Sequence, residues 1–305
     1  MRGQEQRWFW RSAVVGVLAI GTAVVARGAQ AEDERSHRFQ LTSFQDREAV
    51  VAESTTVTTV AGSERHDITG PISLRVADAL PPGELEIKNV FGWGTRKGGG
   101  SDEWEYEFEL EYGLIENHQL LFSLPLELGE GRVTGNWDIT LGWHWKLWGE
   151  DGAIPATAIR QFVRIPTGHD SEGVDYEIRP ILTWTLSDSA RYTLSGYARS
   201  VNGDNFDEPG EEGDEEGEDA RHFRWGVITG FDYDLTEDFK LIWDYVYGSS
   251  VHTGHRDNHT LEVGFDWHFA PNQSFNFMTE VSLDGDGNDN ANLGAEISYV
   301  VSFGG

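Results

Sequence analysis

The stretch that decides the fold is Ser101–Gly113, which reads S-D-E-W-E-Y-E-F-E-L-E-Y-G. Aromatic and aliphatic residues occupy one set of alternate positions, and glutamates occupy the other. Because a β-strand sends successive side chains to opposite faces, this pattern predicts a strand with one apolar face and one face of carboxylates. A helix, with about 3.6 residues per turn, would scatter both sets around its surface.

The length of this strand indicates a membrane. Strands of soluble sheets usually contain about 5–6 residues, whereas a tilted strand needs about 9–11 residues to cross a bilayer. The aromatic residues would then face lipid and the glutamates would face a lumen. The lumen-lining residues predicted on this strand are Glu103, Glu105, Glu107, Glu109 and Glu111.

The same alternation recurs along the rest of the chain. We predict an all-β fold, a transmembrane antiparallel up-and-down β-barrel of about 12 strands, over residues 83–305. Connections after even-numbered strands are shorter, and those after odd-numbered strands are longer and richer in Gly and Asp. This asymmetry is typical of periplasmic turns and extracellular loops. The alternative is a soluble β-sandwich, whose core would have to bury many large aromatic side chains and whose edges would need protection.

The tryptophans and tyrosines lie almost entirely on the parity predicted to face outward, where aromatic girdles are found in barrels. Trp148 is the one tryptophan after the first 31 residues that falls on the inward parity. The predicted girdle residues are Trp93, Trp104, Tyr112, Trp137, Trp145, Trp184, Trp225, Trp243 and Trp267. Basic residues on the inward parity are predicted to line the lumen opposite the glutamates; they are Lys146, Arg160, Arg164 and Arg179.

The first 82 residues do not follow this pattern. Residues 1–31 are predicted to be a secretory signal peptide, with a basic start, an apolar stretch and an A-x-A cleavage site at Ala29–Ala31. Residues 32–82 begin with a polar stretch of mixed charge, and Thr55–Val60 has β character without alternation, so three interpretations stay open: a periplasmic linker, a plug of the lumen, or an extra strand. Export together with the barrel pattern predicts the outer membrane of a Gram-negative bacterium.

Composition excludes several functional classes. The net charge of −29 disfavours nucleic acid as a partner, because its binders need a basic face. The absence of cysteine excludes disulfides, thiolate catalysis and Cys-based metal centres. There is no G-x-S-x-G motif, which leaves a lipid hydrolase as the weakest alternative. We therefore predict no catalytic residue, no cofactor and no metal centre.

Two acidic stretches, Asp204–Asp219 and Asp284–Asp289, have two interpretations. Either they are solvated extracellular loops or they bind divalent cations. The second stretch resembles the start of a calcium-binding loop, but it has no Gly at the sixth position, and Ala295 stands where the twelfth-position Glu belongs.

The C-terminal residues Asn292–Tyr299, with Phe303, resemble the insertion signal on the last strand of outer-membrane proteins. This resemblance implies the barrel-assembly machinery as a partner. Four further stretches resemble the outer-membrane transporter (porin-like) family associated with meta-pathway phenol degradation; they are Val76–Glu86, Glu107–Leu114 with Glu116–Leu120, Asp138–Gly142 and Val163–Gly168. The resemblance implies an outer-membrane channel for small solutes, aromatic compounds among them, and it supplies no catalytic residues.

These patterns together predict a channel for passive diffusion of small solutes through a charged lumen, with outer-membrane lipid and the solutes as partners. An alternative from a different functional class is a structural or surface-interaction barrel with a plugged lumen. Barrels of about 8 strands fill their interiors with side chains and those of about 16 leave a channel, so a 12-stranded barrel lies between the two.

Overall fold

The computed structural model describes residues 72–95, 103–127, 138–168, 173–202, 221–250, 253, 255–284 and 293–304. The predicted signal peptide and residues 32–71 lie outside the described residues. Within the described ranges, no helix has the length and hydropathy to span a membrane.

Twelve antiparallel strands form a closed barrel, in which sequence neighbours pair and β1 pairs with β12. The predicted all-β, up-and-down, 12-stranded architecture is therefore confirmed. Closure leaves no strand edge with unpaired backbone groups. The strands are β1 (Leu85–Gly94), β2 (Glu103–Ile115), β3 (His118–Glu127), β4 (Ile139–Trp148), β5 (Ala156–Ile165), β6 (Asp175–Ser187), β7 (Ala190–Ser200), β8 (Phe223–Thr236), β9 (Phe239–Gly248), β10 (Asn258–Ala270), β11 (Gln273–Asp284) and β12 (Leu293–Phe303).

Strand β1 and the end of β2 show how the sequence pattern becomes two faces of the barrel, whereas at the start of β2 Glu105 is exposed and Tyr106 is buried. Glu111 is 6% exposed, whereas the adjacent Tyr112 is 40% exposed. In β1 every second residue from Glu86 to Gly92 is buried, and the residues between them are only partly buried. Exposed side chains of the barrel wall are mainly aromatic and aliphatic, and buried ones include many charged groups. This is the reverse of a soluble protein and is the expected arrangement for a wall in contact with lipid.

The predicted girdle residues that the structure describes lie towards the two rims of this outer surface, with Trp243 nearer the middle of its strand. Trp93 and Trp104 pair across β1 and β2 with ring centroids 6.4 Å apart. Trp184 and Trp267 lie near the opposite rim. Trp137 lies outside the described residues.

The barrel has two unlike ends. Connections of two to seven residues join β2–β3, β4–β5, β6–β7, β8–β9 and β10–β11 at what we call the short-turn end; the other is the long-loop end. The pairing register shifts just before each short connection, as at Gly113/Ile115 and Lys146/Trp148. Such β-bulges are common at barrel rims. Because of this bulge, the inward position predicted for Trp148 is wrong. Trp148 pairs with Thr157, and its side chain is 51% exposed.

Residues 72–82, which we call the inner segment, run inside the barrel before β1 begins. The segment is not a strand. Its apolar side chains Ile72, Leu74 and Val76 are buried in a cluster with Ile228, Ile242 and Met278 of β8, β9 and β11. A Cβ on Gly113 of β2 would stand 1.9 Å from the carbonyl oxygen of Pro81, so glycine is required at this contact.

The outward face of β10 offers a test of lipid contact. Val263, near the middle of the strand, is 49% exposed. Replacement by Arg should lower the free energy of unfolding in phospholipid vesicles by about 2–4 kcal/mol, because the charge lies near the bilayer midplane. The matched change Leu235→Arg, at the short-turn rim, should lower it by only about 0–1 kcal/mol. Equal losses at the two positions would contradict a lipid-facing outer surface.

Candidate functional site

The interior of the barrel towards the short-turn end is packed with paired charges. Lys88 Nζ donates a hydrogen bond to Glu111 Oε1 at 2.8 Å, and Arg160 Nη2 donates to the same oxygen at 3.2 Å. Gln119 donates to the other oxygen of Glu111. All four side chains are buried. A buried carboxylate with this many donors has its desolvation offset by charge-assisted hydrogen bonds.

A second network extends from β7 to β9. Arg191 Nε donates to Asp232 at 3.0 Å, and Lys240 Nζ lies 4.0 Å from the same carboxylate. The inner segment joins it through Asp78, which accepts a 2.6 Å hydrogen bond from Lys146 Nζ and lies 3.9 Å from Arg191. The structure thus places Lys146 against the inner segment rather than in open space.

Inward-facing side chains hold the backbone of the inner segment. Ser73 donates from its N–H and hydroxyl to Glu262 at 2.7 and 2.8 Å, and Leu74 N–H donates to Asp244 at 2.8 Å. Farther along, Ala77 N–H donates to Thr183 Oγ1 at 3.1 Å, and Leu80 N–H donates to Gln119 Oε1 at 3.0 Å. These bonds replace the ladder that an irregular segment lacks. The segment therefore crosses the lumen from β3 to β10, fixed along its length.

The inward arginines and many of the inward carboxylates lie on different groups of strands, although Asp175, Glu177 and Asp232 lie on the arginine strands. Arginines of β5 to β8 form one side, which we call the basic wall: Arg160, Arg164, Arg179, Arg199 and Arg224. Carboxylates of β2 and of β9 to β12 form the other side, the acidic wall: Glu105, Glu107, Glu109, Asp244, Glu262, Glu280 and Glu296. Unlike charges that face each other across a narrow lumen produce a transverse electric field.

Between arginines of the basic wall and Glu107 and Glu109 of the acidic wall lies a cavity of about 290 Å³. The inner segment contributes Arg75 to it, and the remaining lining comes from β2 to β7. Its charged lining residues are Arg75, Arg160, Arg164, Arg179, Arg199, Glu107, Glu109, Glu111, Asp175 and Glu177. The cavity lining thus includes acidic and basic residues that the sequence predicts to line the lumen: Glu107, Glu109, Glu111, Arg160, Arg164 and Arg179.

Two of the glutamates predicted to line the lumen, Glu103 and Glu105, are not among the residues that line the cavity. Glu105 lies beside Gly92 of β1, where a Cβ would meet the Glu105 side chain at 2.5 Å. Glu103 belongs to β2, but its side chain lies outside the described residues. The acidic stretch 204–219 and residues 285–289 of the second stretch also lie outside the described residues, so cation binding there stays a prediction. In the part of the chain that the structure describes, no cluster of three or more His, Asp or Glu side chains forms a metal site.

Sequence reasoning missed several functional side chains. Lys88 lies on the inward parity of β1, so the alternation contained the signal for it. Arg75 belongs to the inner segment, where Ile72, Leu74 and Val76 alternate with Ser73 and Arg75, but this short pattern does not show that the segment lies inside the barrel. Asp244 and Glu262 occupy directly opposed positions of β9 and β10, and only the register shows that they form one acidic site.

At the long-loop rim, Asp257 between β9 and β10 accepts hydrogen bonds from the Tyr247 hydroxyl and from the Ser250 N–H, the latter at 3.1 Å. The Tyr247 bond is the largest of the effects that lower the pKa of Asp257 below its ordinary value, and the Ser250 bond is the second. Hydrogen bonds to a carboxylate favour its charged form. The rim therefore keeps a negative charge at this point to lower pH than an ordinary aspartate would.

No protein-family model and no curated protein matches the chain. Among solved structures, an outer-membrane channel from Pseudomonas putida F1 aligns with a TM-score of 0.59 and 15% sequence identity, covering 76% of this chain and 100% of that one. The NanC porin aligns with a TM-score of 0.51 and 12% identity, covering 72% of this chain and 99% of that one. At these identities, the similarity shows that the chain shares their barrel fold.

The contacts of Asp244 and Glu262 predict how firmly the inner segment is held. The double change Asp244→Ala and Glu262→Ala removes the acceptors of the Ser73 and Leu74 amides. Their hydrogen exchange should become roughly tenfold faster or more, because each lost bond is to a charged group. Exchange measured by mass spectrometry on peptides covering residues 72–80 reports this change.

The matched control is Glu280→Ala, which removes a carboxylate from the same wall. No hydrogen bond between Glu280 and the inner segment occurs among the described residues. Exchange of the segment should therefore stay as in the unmodified protein. If the control accelerated exchange as much as the double change, wall charge rather than direct hydrogen bonding would hold the segment.

Proposed function

We propose that the protein is a channel in the outer membrane of a Gram-negative bacterium, through which small solutes diffuse passively. The observation that carries this proposal is a cavity between an acidic and a basic wall, inside a closed barrel with an apolar outer surface. A water-filled polar interior within a lipid-facing wall is the working arrangement of porins. The similarity in fold to an outer-membrane channel and to a porin supports it.

The lining suggests which solutes would pass. Polar and dipolar molecules would be oriented by the transverse field between the two walls. The basic wall also carries aromatic surface, since the Arg160 and Arg179 guanidinium carbons lie 5.8 and 6.0 Å from the centre of the Phe162 ring. Passage of aromatic compounds, as in the phenol-degradation family that the sequence resembles, is the finer form of the proposal.

The proposal requires no catalytic residue, cofactor or metal. Its partners are outer-membrane lipid, the solutes, and the barrel-assembly machinery acting on β12. That strand closes the barrel by pairing with β1, from Phe303 opposite Leu85 to Gly294 opposite Gly94. The resemblance of its sequence to an insertion signal is consistent with this closing position.

The inner segment favours the alternative of a structural barrel with a plugged lumen. Its hydrogen bonds to β3, β6, β9 and β10 span the interior towards the short-turn end. A channel requires that solutes pass beside this segment or that the segment moves. Conductance distinguishes the two functions directly, because a plugged barrel carries no current.

In planar bilayers we expect the full chain to give ohmic single-channel steps. Replacing residues 72–80 by a Gly/Ser sequence of equal length should give larger steps, because it removes the apolar side chains that pack against the lumen wall. A control chain with Gly/Ser at residues 116–117 and 237–238, in two short turns outside the lumen, should keep the original step size. No steps from either the full chain or the 72–80 variant would favour the structural barrel.

The acidic wall predicts the sign of ion selectivity. Changing Glu105, Glu107 and Glu109 together to Gln should lower the preference for cations, because three carboxylates are removed from one side of the lumen. The reversal potential under a salt gradient measures this preference. The control changes Glu116→Gln, Glu237→Gln and Asp238→Asn remove the same formal charge at the short-turn rim and should shift it less. An unchanged reversal potential in the lumen variant would contradict permeation along the acidic wall.

A further inference from the structure

The basic wall places like charges directly opposite each other twice. Arg160 of β5 is the pairing partner of Arg179 of β6, and Arg199 of β7 is the pairing partner of Arg224 of β8. Like charges directly opposite on one face of a sheet are destabilising. Glu111 and Glu177 offset this repulsion for Arg160 and Arg179, at 3.2 and 2.9 Å. The basic wall therefore concentrates positive charge beside the cavity.

Two arginines of the cavity have no partner in the part of the chain that the structure describes. Arg164 forms no ion pair there, although Asp175 is opposite it, because Asp175 accepts hydrogen bonds from Asn202, the shorter at 2.7 Å. Arg199 is opposite Glu177, but Glu177 is paired with Arg179 at 2.9 Å. The Nε of Arg199 is buried and unpartnered.

Carboxylates of the lining do not supply the missing partners. The lining contains five arginines and five carboxylates, so its formal charges balance. However, Glu111 is engaged by Lys88 and Arg160, and Glu107 accepts a hydrogen bond from Ser123. A buried guanidinium nitrogen without an acceptor is costly, and an anion entering the cavity would satisfy it.

An apolar surface adjoins the arginines. The Phe162 ring lies near the guanidinium groups of Arg160 and Arg179, at 5.8 and 6.0 Å, and lines the cavity together with Leu121. A Cβ on Gly142 would stand 2.7 Å from the Phe162 ring and 3.1 Å from Leu121 Cβ, so glycine lets these two side chains meet. The cavity therefore combines anion-binding groups with a flat apolar surface.

We propose that this cavity is a binding site for a small aromatic monocarboxylate, with its carboxylate at Arg164 and Arg199 and its ring beside Phe162 and Leu121. Guanidinium groups bind carboxylates through paired, coplanar hydrogen bonds. At about 290 Å³ the cavity is at the lower limit of small-molecule sites, which suits one small solute. Glu107 and Glu109 on the facing wall disfavour polyanions. This proposal names a class of solute for the channel proposed above. Transport of that solute depends on the channel proposal, whereas binding of the solute does not.

Binding of benzoate to the full chain in detergent, measured by isothermal titration calorimetry, tests the site independently of conductance. Benzoate should bind saturably, while benzyl alcohol, which lacks the charge, and acetate, which lacks the ring, should each bind roughly tenfold more weakly or worse. The double change Arg164→Gln and Arg199→Gln should weaken benzoate binding by roughly tenfold or more. Lysine at both positions should restore only part of the loss, because lysine retains the charge without the planar fork.

The control is Arg256→Gln, which removes one positive charge from the loop between β9 and β10, outside the cavity lining. It should leave benzoate affinity unchanged. Heat-dependent mobility in gel electrophoresis shows whether each variant is a folded barrel. If the double glutamine variant is misfolded, the double lysine variant is compared with the unmodified protein instead.

The outcomes separate the site from the channel. Conductance without saturable benzoate binding would overturn the carboxylate site and leave the channel standing. Benzoate binding that depends on Arg164 and Arg199 without any conductance would support the site and contradict the channel. Equal affinity in the unmodified protein and the double glutamine variant would also overturn the site.

Discussion

The rest of the structure depends on one constraint, which is that backbone groups of a strand in hydrocarbon must all be paired within the protein. Pairing of β1 with β12 meets it by closing the ladder of all twelve strands. Closure divides alternate side chains between two environments, an outer surface rich in aromatic residues and an interior of charges. The inner surface can then carry charged groups that no strand could expose to lipid.

Charges inside a narrow barrel have to be paired or solvated. Towards the short-turn end they are paired, with Glu111 and Asp232 each at the centre of a buried network and with the inner segment held by Asp244 and Glu262. Farther towards the long-loop end, the inner segment and these networks leave a cavity between the acidic and basic walls. Beside this cavity, the buried Nε of Arg199 has no hydrogen-bond partner among the described residues.

The sequence predicts the barrel well because alternation with a period of two is a local property, visible within each strand. It fails at Trp148, because a β-bulge adds a residue and reverses the parity after Lys146. It also fails for the inner segment, whose partners are distant: Ser73 and Glu262 are separated by 189 positions. Which inward charges meet, such as Lys88 with Glu111, depends on strand register, and one-residue differences in register would change every pair.

The central claim, that alternate residues of each strand face lipid and lumen, is tested most directly on β2 by nitroxide labels. The chain contains no cysteine, so single cysteines for labelling can be introduced one at a time from residue 104 to residue 112 in protein reconstituted in vesicles. The account predicts that collision with molecular oxygen dissolved in the bilayer is high at even-numbered positions and low at odd-numbered ones. Collision rates without a period of two, or with the odd-numbered positions higher, would contradict it.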